Sequence, residues 1–231
     1  MKYWTFTEVK DKVRKDLGLE QEEFVTNSEL MGYVNDAIDE AEAGILTIYE
    51  DYFLAKPVAF DIVAGQKEYE LPENIYASKI RGIVYKGGTD IYSVRKFKER
   101  DDFWGHVELT DEFDDDFYHY IIYNDSASSK PVMHIYPTPS RSVPNGFRLR
   151  YIRNANRIEN TGDYIDIPEF ANFIIQYCKV RCYEKEGHPN MQSAQGKLEF
   201  YRDQMVSTLT DKIPDGDNTI ALDLDFYNDT V

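Results

Sequence analysis

Between residues 26 and 48 apolar side chains return every three or four positions: Leu30, Val34, Ala37, Ile38, Ala41, Ile45 and Ile48. That is the period of one face of an α-helix, and the preceding Thr26-x-x-Glu29 has the form of a capping box. So long a one-sided stripe needs partner faces elsewhere in the chain. Three further segments supply them. Residues 5–17 open with a second capping box, Thr5-x-x-Glu8, and carry Val9, Val13 and Leu17 four apart. Beyond Asp166-Ile167-Pro168-Glu169, with Pro168 near the first helical position, Phe170, Phe173, Ile174, Tyr177, Cys178 and Arg181 follow a helix face until Gly187-His188-Pro189. A fourth helix is predicted over about 190–209, with Leu198, Tyr201, Met205 and Leu209 at helical spacing.

The period falls from 3.6 to 2 in the middle of the chain. Val58, Phe60 and Ile62 alternate with other residues, Gly65 offers a turn, and Tyr69 with Leu71 resumes the alternation. Strands are further predicted over 80–85, 117–123, 132–136 and 147–152, separated by Gly87-Gly88, Asn124-Asp125-Ser126 and a proline-rich stretch at 137–146. Residues 96–116 are dense in charge and without sustained period, which predicts a long excursion or mixed loop. The sequence therefore predicts an α+β protein. N- and C-terminal helix pairs (1–55 and 166–213) form a four-helix bundle, an antiparallel β domain (56–165) is inserted between them, and an extended arm (214–231) follows. In that arm Ile220, Leu222, Leu224 and Phe226 alternate as in a strand.

Charge and composition restrict function. With 42 acidic residues against 26 basic ones the 231-residue chain carries −16, which opposes stable sequence-specific DNA binding and attraction to anionic membrane. Aromatic content of 14%, including 18 tyrosines, separates it from disordered acidic chains. That many tyrosines predicts some rings facing partners, because tyrosine supplies rigid area and a polar tip. No apolar run is long enough to span a membrane, and residues 1–15 lack the apolar centre of a signal peptide, so the chain is expected to stay inside the cell that makes it. Cys178 and Cys182, four apart on a helix, are expected to be free thiols serving as small core residues.

No GxGxxG, GxxxxGK[ST], HExxH, GxSxG or CxxC pattern occurs, so no enzyme, metal or cofactor is expected. His119 and His134 lie on neighbouring predicted strands, and two histidines alone do not define a metal site. The acidic residues Asp111, Glu112, Asp114, Asp115 and Asp116 could bind Ca²⁺ but lack the Gly and closing Glu of an EF-hand loop. They read as a solvated loop, at a lumen or solvent face. Asp215-Gly216-Asp217-Asn218 likewise reads as a helix stop. A metal-dependent hydrolase using Asp111–Asp116 with His106 or His119 is a rival reading, set back by the placement of those carboxylates in the least periodic segment. An acidic DNA mimic is another, set back by the amphipathic helices and the separate β region.

One resemblance joins these parts. The helical FVTNSELMGYVNDAIDEAEAGIL precedes an A-G-x-x-x-Y-x-L-P turn at 64–72. The strand MHIYPTP at 133–139, the strand FRLRYIRN and the helix opening DIPEFANFIIQYCKVRCYEKEG then follow. The succession, over roughly 27–209, resembles the head-to-tail adaptor (connector) proteins of tailed bacteriophages, particularly the short-tailed kind. The resemblance implies a structural virion protein, made in the host cytoplasm and placed at the head-to-tail junction. It implies a ring of about twelve copies beneath the portal that extends the DNA channel, lets DNA pass without specific binding, and offers its lower face to tail nozzle or fibre proteins. It also implies an arm that reaches the portal or a neighbour through residues such as Ile220, Leu222, Leu224 and Phe226. A tail terminator or nozzle subunit would share the composition and ring symmetry.

Overall fold

The computed structural model describes residues 2–19, 24–97, 117–124 and 130–212. It divides into two compact units, 1–52 with 155–231 and 53–154.

The described residues of the first unit form four α-helices. Helix α1 (Phe6–Leu17) starts at Thr5, whose hydroxyl accepts the Glu8 N–H at 3.2 Å while the Glu8 carboxylate accepts the Thr5 N–H at 3.0 Å. Helix α2 (Asn27–Ile48) starts the same way at Thr26 and Glu29. Both predicted capping boxes therefore form. Helix α1 ends at Gly18 in the left-handed region (φ 69°), which glycine enters without the Cβ penalty. Helix α3 (Ala171–Glu186) follows a single 3₁₀ turn at Pro168–Phe170 and ends the same way at Gly187 (φ 68°). Helix α4 (Met191–Lys212) completes the set. Helix α3 packs against α1, α2 and α4, burying Phe6, Val9 and Val13 with Leu30, Val34, Ile38, Ile45, Phe173, Ile174, Leu198 and Leu209. The buried Gln176 amide donates to the Ala194 carbonyl at 2.8 Å, tying α3 to the first turn of α4.

Residues 155–167 lack regular period and still belong to this unit, because α2 carries polar groups that bond their backbone. Asn35 accepts from the Ile158 N–H at 2.8 Å and donates to the Ile158 carbonyl at 3.0 Å. The Glu42 carboxylate accepts the Ala155 N–H at 2.7 Å. A bridge between Thr5 and Tyr164 extends the N-terminal segment beside the same stretch.

The second unit is a seven-stranded sheet of β1 (Val58–Ile62), β2 (Glu68–Glu70), β3 (Ile75–Gly87), β4 (Asp90–Lys96), β5 (His119–Asn124), β6 (Pro131–Tyr136) and β7 (Val143–Arg153), ordered β1-β7-β3-β4-β5-β6-β2. The expected all-antiparallel arrangement is corrected here: β4 and β5 run parallel, with Arg95 opposite His119 and Lys96 opposite Tyr120. Parallel neighbours require a crossover of a dozen or more residues, and positions 97–118 provide that length. The sheet core gathers Ile62, Tyr69, Ile83, Tyr85, Val94, Tyr120, Met133, Ile135, Phe147, Leu149 and Tyr151. Rings of Tyr85, Tyr92, Tyr118 and Phe147 meet at centroid distances of 4.8 to 6.4 Å. Six of the eighteen tyrosines, Tyr69, Tyr85, Tyr92, Tyr118, Tyr120 and Tyr151, thus pack in or against the sheet core.

Candidate interaction surfaces

The residues singled out from sequence for partner contact, Ile220, Leu222, Leu224 and Phe226, lie outside the described residues. So do Asp111, Glu112, Asp114, Asp115, Asp116, His106 and the segment 215–218.

Of the remaining candidates, the histidines are not directly opposite one another. His119 pairs with Tyr136 and His134 with Ile121, so the two imidazoles sit diagonally on one face. His134 is buried, which holds its pKa below the ordinary value against the opposing pull of Glu68, whose carboxylate stands 3.9 Å away. Among the described residues no group of three or more His, Cys, Asp or Glu could hold a metal ion. Cys178 and Cys182 are free thiols, buried on α3, and burial pushes the Cys182 pKa up to about 11 and that of Cys178 upward as well. High thiol pKa values and burial suit packing, not nucleophilic chemistry.

What the structure brings to the surface is a pair of patterned faces that sequence reading passed over. On the sheet, register fixes the first. Ala59 lies opposite Arg148, Arg148 opposite Val84, and Val84 opposite Ser93, while Gly82 pairs with Arg150 and Lys86 with Ile91. Alternation puts Arg95 on the same side as Ser93. These residues therefore share the side opposite the buried Ile83, Tyr85, Val94, Phe147 and Leu149. Arg148, Arg150, Lys86 and Arg95 are exposed, and none makes an ion pair with a described residue. Ile91 on the same face is 65% exposed.

The second face belongs to α4. Its inward side is Ala194, Leu198, Met205 and Leu209, and its outward side carries Phe200, 64% exposed, with Asp203, Ser207 and Asp211 three or four residues apart. Val206 flanks this stripe, and Asp203 and Asp211 have no ion-pair partner among the described residues. A smaller aromatic patch lies at the N-terminal bridge, where Tyr3 and Tyr164 are both more than three-fifths exposed.

No described helix is long and apolar enough to cross a membrane. The family model of the SU10 adaptor protein matches residues 4–221, nearly the whole chain, and the protein belongs to that family of phage structural adaptors. The likeness to head-to-tail adaptors drawn from the motif order is borne out. No curated protein matches the sequence.

Proposed function

We propose that the chain is a non-enzymatic head-to-tail adaptor of a short-tailed phage virion, located at the head-to-tail junction. About twelve copies form a ring beneath the portal, extend the DNA channel and present a docking face to nozzle or fibre proteins of the tail. The helices of 1–55 and 166–213 act as a four-helix bundle carrying the ring, the β domain of 56–165 is inserted between its halves in sequence, and the arm of 214–231 docks on the portal or a neighbour through Ile220, Leu222, Leu224 and Phe226. An alternating apolar arm suits strand addition to a partner's sheet edge. The acidic residues Asp111, Glu112, Asp114, Asp115 and Asp116 suit a lumen that repels phosphate. The observation that carries this reading is the family match over residues 4–221.

The test is the mass of the purified protein in solution, alone and mixed with the portal protein of the same genome. The expected outcome is a one-to-one subunit ratio with portal. A stable small oligomer indifferent to portal overturns the reading.

A further inference from the structure

Asn145-Gly146 is the one Asn-Gly pair in the chain. An asparagine before a glycine is open to attack on its own side chain, because the next backbone nitrogen reaches Cγ and no Cβ on the glycine obstructs the approach. Folding ordinarily opposes this by pairing the backbone and engaging the side-chain amide. Asn35 is held that way by Ile158, and the Asn74 side chain accepts from the Tyr151 hydroxyl at 2.9 Å. Asn145 is exposed, and its side-chain amide has no hydrogen-bond partner among the described residues. The β1–β7 register jumps from Phe60 opposite Phe147 to Ile62 opposite Val143, and the β3–β7 register begins at Phe147. Pro144, Asn145 and Gly146 therefore lie outside the paired positions, at a bulge. There the Asn145 N–H donates to the Asp61 carboxylate at 2.7 Å, and the residue takes φ 50°, a left-handed conformation that asparagine enters more readily than most residues.

We propose that Asn145 is a site of self-modification in the folded protein, and that its conversion loosens the edge strand β1. The Gly146 nitrogen bonds to Asn145 Cγ and gives its proton through water to the departing group, while the Cγ–Nδ2 bond breaks and ammonia leaves. Water then opens the resulting five-membered succinimide at either carbonyl. One product is aspartate; the other is isoaspartate, in which Cβ joins the main chain. The sum is one water consumed and one ammonia released, with no change of oxidation state. Both products set a new carboxylate near that of Asp61, and neighbouring like charges destabilise a strand pair. The isoaspartate also inserts a main-chain atom next to Gly146, which is buried against Ile62: a Cβ on Gly146 would lie 2.5 Å from Ile62 Cδ1. Because β1 lies at the edge of the sheet and pairs with β7 at this bulge, the strain falls on the contact that holds it. The site concerns the sheet unit alone and goes beyond the adaptor reading without depending on it.

The experiment incubates the full chain in mildly alkaline buffer, folded and in urea, and follows the tryptic peptide 142–148, in which Asn145 is the one side-chain amide, by liquid chromatography and mass spectrometry. The peptide is expected to gain about 1 Da and to resolve into two products, at a rate in the folded protein within about tenfold of the rate in urea. Asn145→Gln, whose longer side chain would have to close a six-membered ring, is expected to convert at least about tenfold more slowly. Anion exchange then separates converted from unconverted folded protein by the added charge, and the converted fraction is expected to unfold at lower urea. A folded rate below the tenfold window overturns the site, because the fold then protects Asn145. A peptide unchanged in both conditions overturns it as well. Conversion that leaves the urea midpoint unaltered overturns the loosening of β1.

Discussion

Asn35 on α2 holds the backbone of Ile158 with both halves of its side-chain amide, accepting from the N–H at 2.8 Å and donating to the carbonyl at 3.0 Å. The pair is separated by 123 positions in sequence and is partly buried. One side chain thus satisfies two backbone groups of a segment that has no helix or strand to satisfy them.

Replacing Asn35 with Ala leaves both Ile158 groups without that partner. Chemical denaturation is expected to show a loss of about 1–3 kcal/mol. Asn35→Asp keeps the acceptor but sets a carboxylate against the Ile158 carbonyl, so it is expected to recover little of the loss. Wild-type stability in both variants would show that water replaces the clamp without cost.

Gly87 ends β3 beside the ring of Tyr85, and a Cβ at that position would lie 1.9 Å from the Tyr85 hydroxyl oxygen. The ring has little freedom to move: it touches Tyr92, Tyr118 and Phe147, and its hydroxyl accepts a hydrogen bond from Arg141 at 3.2 Å. Gly87→Ala is expected to destabilise the sheet unit by about 1–3 kcal/mol. The companion Gly87→Ala/Tyr85→Phe, which removes the clashing oxygen, is expected to recover part of it. Equal stabilities in urea for wild type and Gly87→Ala would refute the packing argument.

Glu29 closes the α2 capping box and also receives Lys185 of α3 at 2.6 Å. The Lys185 ammonium, followed by the Thr26 donors, holds the Glu29 pKa at about 2 against the ordinary 4.5. A depressed carboxyl pKa contributes stability that is whole above the unfolded value and is lost as the proton binds. The contribution of Glu29 is therefore expected to be intact above pH about 4.5 and to vanish as pH falls toward 2. Glu29→Gln should flatten the acid limb of a stability–pH curve within that window and leave its alkaline side unchanged. An unaltered acid limb would show that the cap and ion pair carry no linkage.

Removal of residues 215–231 is expected to abolish binding to portal protein in co-sedimentation while leaving the circular dichroism spectrum and unfolding midpoint of the remaining chain near wild type, since terminal arms add little to a core. Retained portal binding would dismiss Ile220, Leu222, Leu224 and Phe226 as anchors.

How far the fold can be read from sequence follows from what each signal depends on. The helices announce themselves because capping at Thr5 and Thr26, the stops at Gly18 and Gly187, and the spacing of Leu30, Val34, Ile38 and Ile45 are all local. Strand β4 escapes notice although Tyr92 and Val94 alternate with Ile91, Ser93 and Arg95. Its parallel pairing with β5 escapes for a different reason: it depends on a partner more than twenty positions away rather than on any neighbour. Residues 155–167 have no period because side chains of α2, not their own spacing, hold them. The two candidate surfaces were invisible as such. Arg148 and Arg150 look like the solvent half of any strand until register sets Lys86 and Arg95 beside them.

The helical unit is assembled from both ends of the chain, 1–52 and 155–231, and that division orders events on the ribosome. When α2 leaves the exit tunnel, the faces of α3 and α4 that cover Leu30, Val34, Ile38 and Ile45 have not yet been translated, and more than a hundred codons separate them. The sheet unit is contiguous and has all its strands once Arg153 has emerged. Throughout that interval the part of the α2 stripe that α3 and α4 cover stands open to water or to a chaperone, while the β unit is already able to close.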